Sequence, residues 1–564
     1  MSWPILRNPP SDLIPSPGPG YSGPRSLFNP ITKMDKTMKN YKFSFLILSV
    51  LLLASACSGI IDREEKDVIP ASQVLNTLGG VEAVLFQVYE IARSVHENNE
   101  ISVYKQCGTD LVVNGTHLID GNAGGMVGMN MYSNGLAANS GPLTSMWDNY
   151  YRAISNCNLV IQASESFPTR DESEEAAILK FRGEAKALRA YVYLELVRRW
   201  ENIPLAVPLP EGSSPVREAP LASPSEIYDL ILSDLTEAVE LLPRRAESSG
   251  VGAPSKGLAN LLLMEANMDL GNWADAAAAA EAVINDGSYE LQSLDYIFGL
   301  EGGKEGEESN KEIIFSWVFD PAIQARPQRT VQMFVPLYDR VPGVARTLEQ
   351  GARPWSRLSP SPYYWTLFDE DDGRLDTWHK INWYIDDEEA VMEGWDLKNG
   401  DIATKEYVLA WADGRDREAR YTEPTTIKNW EDGTYGRTEA DAEGFRNVIV
   451  YRYAQAFIVG AEAHFRNGNT DRALELINTI RDRAFGDTEH RFTTLDEETI
   501  LEENARELGH EGHRWYTLKR LGLLVERVRL HNSDGAPNIQ PYHVRWPIPQ
   551  TFIDLAGVSQ NTGY

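Results

Sequence analysis

The sequence is poor in cysteine, in basic residues and in long apolar runs, and each shortage excludes something. Three cysteines in 564 residues cannot build a disulfide framework. Cys107 and Cys157 are left either to pair with each other or to stay as two buried thiols. Lys and Arg number 53 against 82 Asp and Glu, a formal net charge of −29. That balance argues against a nucleic-acid partner, which calls for basic patches. The apolar run from Phe43 to Ala56 falls short of the roughly 20 residues that span a bilayer.

Two metal motifs are also incomplete. In "LGHEGHRWYTLKR", Leu508 to Arg520, the histidines stand three apart. A zinc peptidase sets them four apart, as H-E-x-x-H on one helical face. An i,i+3 pair can still share a face, so a zinc hydrolase using His510, Glu511 and His513 stays open on spacing alone. The alternative is a helical segment whose polar residues pair with neighbours. The run Asp369, Glu370, Asp371, Asp372 fails the calcium-loop pattern, because glycine falls at 373 and not 374. A surface turn with an Asp372–Arg374 hydrogen bond fits it better.

What is present is a globular composition, 42% hydrophobic and 10% aromatic, long enough for two or more structural units. Residues 1–57 read as a secretory leader. Lys39 and Lys42 precede the apolar run, and small residues precede Cys57. Met38 is the expected true start, with residues 1–37 an untranslated extension. Leu53 to Cys57 resembles a bacterial lipobox, which makes Cys57 the lipidated first residue. Residues 58–72 then form an acidic tether carrying Asp62, Glu64, Glu65 and Asp67.

From there the pattern is mostly α. Amphipathic periodicity predicts helices over 81–95, 145–165, 174–201 and 225–242. Pro224-Ser225 marks a start and Pro243 a stop. Residues 254–291 read as helix, Gly271-Asn272 turn, helix, with small residues where two helices must pack. Residues 451–484 repeat the plan around Gly468-Asn469. Both resemble tetratricopeptide units of about 34 residues, and 178–242 can supply another pair. Such units must stack to bury their apolar faces. Between 320 and 440 the texture changes to Trp, Tyr, Asp and Gly, as in "RPWSRLSPSPYYWTLFDEDDGRLDTWHKINWYIDD". This reads as a loop-rich insertion, and binding residues often sit in such loops.

Five segments in order resemble the SusD/RagB family of Bacteroidetes outer-membrane lipoproteins. They are "MWDNYYRAISNCNLVI", "FRGEAKALRAYVYLELVRRWENIPL" (Phe181 to Leu205), "FDEDDGR", "AEAHFRNGNTDRALELINTIRDRA" and the terminal "RWPIPQTFIDLAGVSQNTGY". "ILEENARELGHEGHRWYTLKRLG", Ile500 to Gly522, is similar to the family's late signature at Glu507, Glu511, Gly512, Arg514, Trp515, Leu518 and Arg520. It departs at Asn504, His510 and Thr517, where the family has arginine, an aromatic and aspartate. One structural ion pair is therefore expected to be missing, and His510 to occupy an aromatic packing position. The acidic tract after Cys57 resembles the family's surface-export signal.

The resemblance implies a tetratricopeptide-based helical scaffold, with an N-terminal region over 73–300 and a C-terminal region over 301–564. It implies a non-catalytic, cofactor-free protein, lipid-anchored on the exterior of the outer membrane, that hands glycan to a SusC-like TonB-dependent transporter. A peptide or other non-glycan cargo is the alternative within the same complex. Pyranose rings stack their C–H faces on aromatic rings and offer hydroxyls to polar side chains. Trp355, Tyr363 and Tyr132 are the first candidates. Tyr364, Trp378, Trp383, Tyr384 and Trp395 follow as rings, with Arg353, Asn382, Asn114, His117, Asn130 and Asn134 as polar partners. A core or loop-anchoring role is the alternative for each ring.

Overall fold

Helices start where the sequence supplies acceptors for their first amides. Asp171 caps α3 (Glu172–Trp200) by accepting from the Glu174 amide at 2.9 Å. Ser223 and Glu226 form a reciprocal capping box on α4 (Pro224–Leu241). The computed structural model describes residues 74–97, 104–116, 126–133, 136–206, 219–248, 250–323, 327–412 and 420–564. All fall in one unit, Pro70–Tyr564. The expected leader, Cys57, the whole tether, His117 and Asn134 lie outside the described residues.

The helices form a consecutive stack. α1 (Leu78–Glu97) packs on α2 (Gly141–Glu165), and α2 on α3. α4 follows, then α5 (Lys256–Leu270), α6 (Trp273–Ile284), α7 (Tyr453–Arg466) and α8 (Thr470–Phe485), each against the one before. The two tetratricopeptide-like pairs are therefore neighbours in space, although the loop-rich segment separates them in sequence. Gly271 ends α5 in the left-handed region, φ 74°, which glycine adopts without a Cβ clash. At the α6–α7 contact, a Cβ on Gly460 would stand 2.8 Å from Cβ of Ala280. That close approach explains the small residues in both pairs.

α3 is the central helix. Every residue from Gly183 to Trp200 is buried, so its charges are paired. Arg189 bonds Asp234 and Asn158, Arg198 bonds Glu265 and Asp269, and Glu195 sits between Lys105 and Arg199. The chain end packs against the same helix. Trp200 donates its indole N–H to the Pro547 carbonyl at 2.8 Å, and the Asn561 amide donates to the carbonyls of Trp200 and Trp546 at 3.0 and 2.7 Å. The terminal motif is a clamp on α3.

Eight short strands pair antiparallel in twos among the described residues. β1 (Val112–Asn114) pairs β5 (Leu358–Pro360), and β2 (Ile203–Pro204) pairs β3 (Leu221–Ala222). β4 (Ile313–Trp317) pairs β8 (Val448–Arg452), and β6 (His379–Lys380) pairs β7 (Thr425–Thr426). The loop-rich segment carries its own small core of Val335, Tyr338, Trp383, Ile385, Tyr407 and Val408. No helix among the described residues is long and apolar enough to cross a membrane.

α9 (Glu497–Leu508) and α10 (Arg514–Arg520) are separated by a turn, so 509–513 is not helical as expected. His510 takes φ 64° there, which breaks the helix. Nε2 of His510 donates to the Leu111 carbonyl at 3.2 Å, and Nε2 of His513 to the Val450 carbonyl at 3.0 Å. Glu511 belongs to an ion network. Arg374, Arg452, Arg481, Arg483, Arg506 and Lys428 surround Asp372, Glu312, Glu503, Glu507 and Glu511. Burial alone would raise the Glu511 carboxyl, but Arg452 and Lys428 pull it down to about 2. His510 does take the aromatic position, its ring edge-on to Phe334 and Tyr364 at 5.0 and 4.4 Å. Asn504 and Thr517 line one small cavity of about 10 Å³.

Asp372 points into this network, bonding Arg374 through both oxygens, while Asp369, Glu370 and Asp371 are exposed. The four carboxylates do not converge. Cys107 and Cys157 are both free and buried, and burial pushes the Cys157 thiol up to about 12.

Candidate ligand-binding cleft

Three local devices open a cleft of about 480 Å³ in the loop-rich segment. Ser361 accepts from the Tyr364 amide and starts a one-turn helix, Pro362–Trp365. That turn hands Tyr364 to the interior and leaves Trp365 at the cleft wall. The β6–β7 pairing sets Ile381, Asn382 and Trp383 opposite Thr422, Glu423 and Pro424. A bridge between Tyr384 and Ile402 brings up Ile402 to Lys405 as the remaining wall.

The floor is rigid. Trp383 is buried, stacked on Tyr338 at 4.6 Å between centroids, and donates its indole N–H to the Glu423 carbonyl at 3.2 Å. Trp365 is half-buried, edge-on to Tyr364 and His379 at 5.3 and 5.1 Å. Its indole nitrogen is buried and has no hydrogen-bond partner among the described residues. An orphaned donor of this kind costs about 1–3 kcal/mol until something accepts from it. Asn382, Thr404 and Lys405 add polar groups along the walls. Glu423 is the one carboxylate lining the cleft among the described residues, and it accepts from the Ser359 hydroxyl at 2.6 Å. The exposed Tyr384 ring follows Trp383, with the Lys380 ammonium over it at 5.5 Å. The arrangement offers a ring edge, an apolar floor and separated hydrogen-bonding groups.

Of the residues singled out from sequence, Trp383 and Asn382 line this cleft. The other described ones are placed elsewhere. Trp355 is buried under the Arg357 guanidinium, which lies 4.3 Å from its ring centre. Tyr363 is half-buried, stacked at 3.8 Å on His531, and accepts from Arg527 through its hydroxyl. Tyr132 is buried, donating to the Gly108 carbonyl at 2.5 Å and accepting from Trp515 at 3.3 Å. Tyr364 and Trp378 are wholly enclosed; their polar atoms bond His379 and the Leu294 carbonyl. Asn130 donates its amide to Asn114 Oδ1 at 2.9 Å, and both side chains are buried. Arg353 and Trp395 are exposed. Trp365, Thr404, Lys405 and Glu423 were not singled out from sequence. Trp365 stood in the quoted aromatic string, but only the one-turn helix separates its role from that of Tyr364.

Two family models cover most of the chain. One, described as the SusD family, matches residues 311–564, and one described as starch-binding associating with outer membrane matches 66–261. The chain belongs to the SusD/RagB family. SusD-like protein P38 of Formosa agariphila is 24% identical over 559 residues, 94% of this chain and 100% of that protein. Starch-binding protein SusD of Bacteroides thetaiotaomicron is 28% identical over 209 residues, 32% of this chain and 36% of that one. The solved structure of surface glycan-binding protein A from Bacteroides fluxus superposes with a TM-score of 0.65 at 21% identity, covering 86% of this chain and 100% of its own. The helical scaffold expected from the resemblance is the SusD-like fold.

Proposed function

We propose that this SusD-like protein binds oligo- or polysaccharide in the cleft between Trp365 and Lys405 and delivers it to a SusC-like TonB-dependent transporter. The observation that carries the reading is the half-buried Trp365 ring at the wall of a cleft floored by the buried Trp383. Asn382, Thr404 and Lys405 are placed to hydrogen-bond further hydroxyls. The starch-binding and surface glycan-binding relatives support the ligand class. The family description supports association with the outer membrane; Cys57 would anchor the protein there, facing the exterior.

A glycan panel screened by affinity electrophoresis and calorimetry tests the reading. Binding of at least one glycan, weakened in Trp365→Ala and without hydrolysis products, is the expected result. Failure across plant, host and microbial glycans, with binding of peptides instead, overturns it. Pull-down from solubilised outer membranes should recover a much larger transporter chain.

A further inference from the structure

A second groove, of about 500 Å³, shares no residue with the cleft. It runs between α1, α3 and the end of β4. Glu82, Phe86 and Glu90 succeed each other on α1 at four-residue steps, so all three share one face. At 1.5 Å per residue the two glutamates stand about 12 Å apart along the axis, with Phe86 midway between them. Phe86 is 60% exposed, one of the most exposed large apolar side chains among the described residues. Neither Glu82 nor Glu90 has an ion-pair or hydrogen-bond partner among the described residues.

The groove is under-neutralised at depth as well. Glu184 accepts from the Tyr89 hydroxyl at 2.7 Å and lies 3.6 Å from Lys180. Burial raises its carboxyl, and the neighbouring Glu82 adds to the effect. Glu308 accepts from the Val251 amide at 3.0 Å. Arg93, the other cation, is turned to Glu97 and to the Val318 carbonyl. An independent feature points the same way. Ser316, fully buried at this groove, has a hydroxyl without a hydrogen-bond partner among the described residues.

We propose that this groove binds an aliphatic polyamine. Terminal ammonium groups rest on Glu82 and Glu90, and the hydrocarbon between them crosses the Phe86 ring. An inner ammonium donates to Glu184 and to the Ser316 hydroxyl. Carboxylates at both ends with an aromatic surface between suit a linear polycation, since ammonium groups are drawn both to carboxylates and to ring faces. The volume is that of a small-molecule site.

Calorimetric titration of the purified protein with spermidine, putrescine, hexylamine and a lysine-rich hexapeptide, at physiological salt, tests this. Trp317 lines the groove, so its fluorescence gives a second readout. Spermidine is expected to bind about tenfold more tightly than putrescine or hexylamine. That preference is expected to vanish in Glu82→Gln/Glu90→Gln, to weaken in Phe86→Ala, and to survive in Glu388→Gln/Glu389→Gln outside the groove. Equal affinity for the amines, or equal losses in both double variants, reduces the effect to diffuse attraction by an acidic surface and overturns the proposal. Binding of the peptide alone overturns it too. Glycan binding at the cleft is unaffected by any of these outcomes.

Discussion

Arg452 lays its guanidinium against Glu511 in a two-pronged pair, Nε to Oε2 at 2.7 Å and Nη2 to Oε1 at 2.9 Å. Lys428 closes the other side at 2.8 Å. All three side chains are almost wholly enclosed. Removing the carboxylate leaves the buried Lys428 with backbone carbonyls alone, while Arg452 keeps Glu312 and Glu507; breaking a buried pair in this way costs about 3–5 kcal/mol. Glu511→Gln is therefore expected to lower the urea midpoint by that equivalent. His513→Ala is expected to leave metal content unchanged, because Nε2 of His513 is bonded to a carbonyl. Stoichiometric zinc lost in that variant would reverse the reading of the turn.

The same region sets the acid side of the stability curve. Burial holds His510 neutral, down to about 3 against an ordinary 6.5. The unfolded chain takes up that proton first, so stability falls as pH drops below about 6.5, by at most about 1.4 kcal/mol per pH unit. Glu511, and Glu503 under Arg374, Arg506 and Arg481, are held near 2 against 4.5. Their contribution is complete above about 4.5 and is lost between there and 2. Melting temperatures measured from pH 7.5 to 3.5 should show both limbs. His510→Phe should reduce the upper limb, to which the buried His379 and His543 also contribute, while losing the bond to Leu111 at all pH values.

Trp365 and Trp378 should respond oppositely to truncation. Trp378 is enclosed, with Phe298 edge-on at 5.2 Å and Lys428 over its ring. Trp378→Ala is expected to cost about 3–5 kcal/mol of stability. Trp365→Ala should cost about 1 kcal/mol and weaken glycan binding about tenfold, as loss of an aromatic anchor does. A Trp355→Ala or Tyr363→Ala variant that keeps its stability and loses binding would move the ligand to those rings.

Asn561 is expected to be the most sensitive position of the chain end. Asn561→Ala leaves the buried Trp200 and Trp546 carbonyls without their donor, a cost of about 1–3 kcal/mol. Differential scanning calorimetry reads it directly. A change below about 0.5 kcal/mol would mean that water replaces the amide.

The scaffold was legible because its code is local. Capping residues, glycine turns and small-residue spacing stand within a few positions of the contacts they make, and the four leading helices fall within a few residues of their predicted bounds. The cleft was not, because a ring's exposure depends on partners far along the chain. Tyr363 rests on His531 and Tyr132 on Trp515, the latter pair 383 residues apart. Tyr364 and Trp365 are adjacent and chemically alike, and only the one-turn helix sends them to different places. The turn at His510 was hidden for a related reason. Its positive φ is held by packing against Phe334 and Leu111, not by any local signal.

The clamp of the terminal motif on α3 has a consequence for how the chain is made. Trp200 receives its indole acceptor from a residue 347 positions later, and its carbonyl is capped from 361 positions later. Contacts of such sequence separation form late. The central helix therefore stays unfinished until residues 547–561 have been made, so a product that stops before them exposes a helix that is otherwise buried from Gly183 to Trp200. The segment from Trp546 to Asn561 thus works as a latch, holding shut from far along the chain a helix made hundreds of residues earlier.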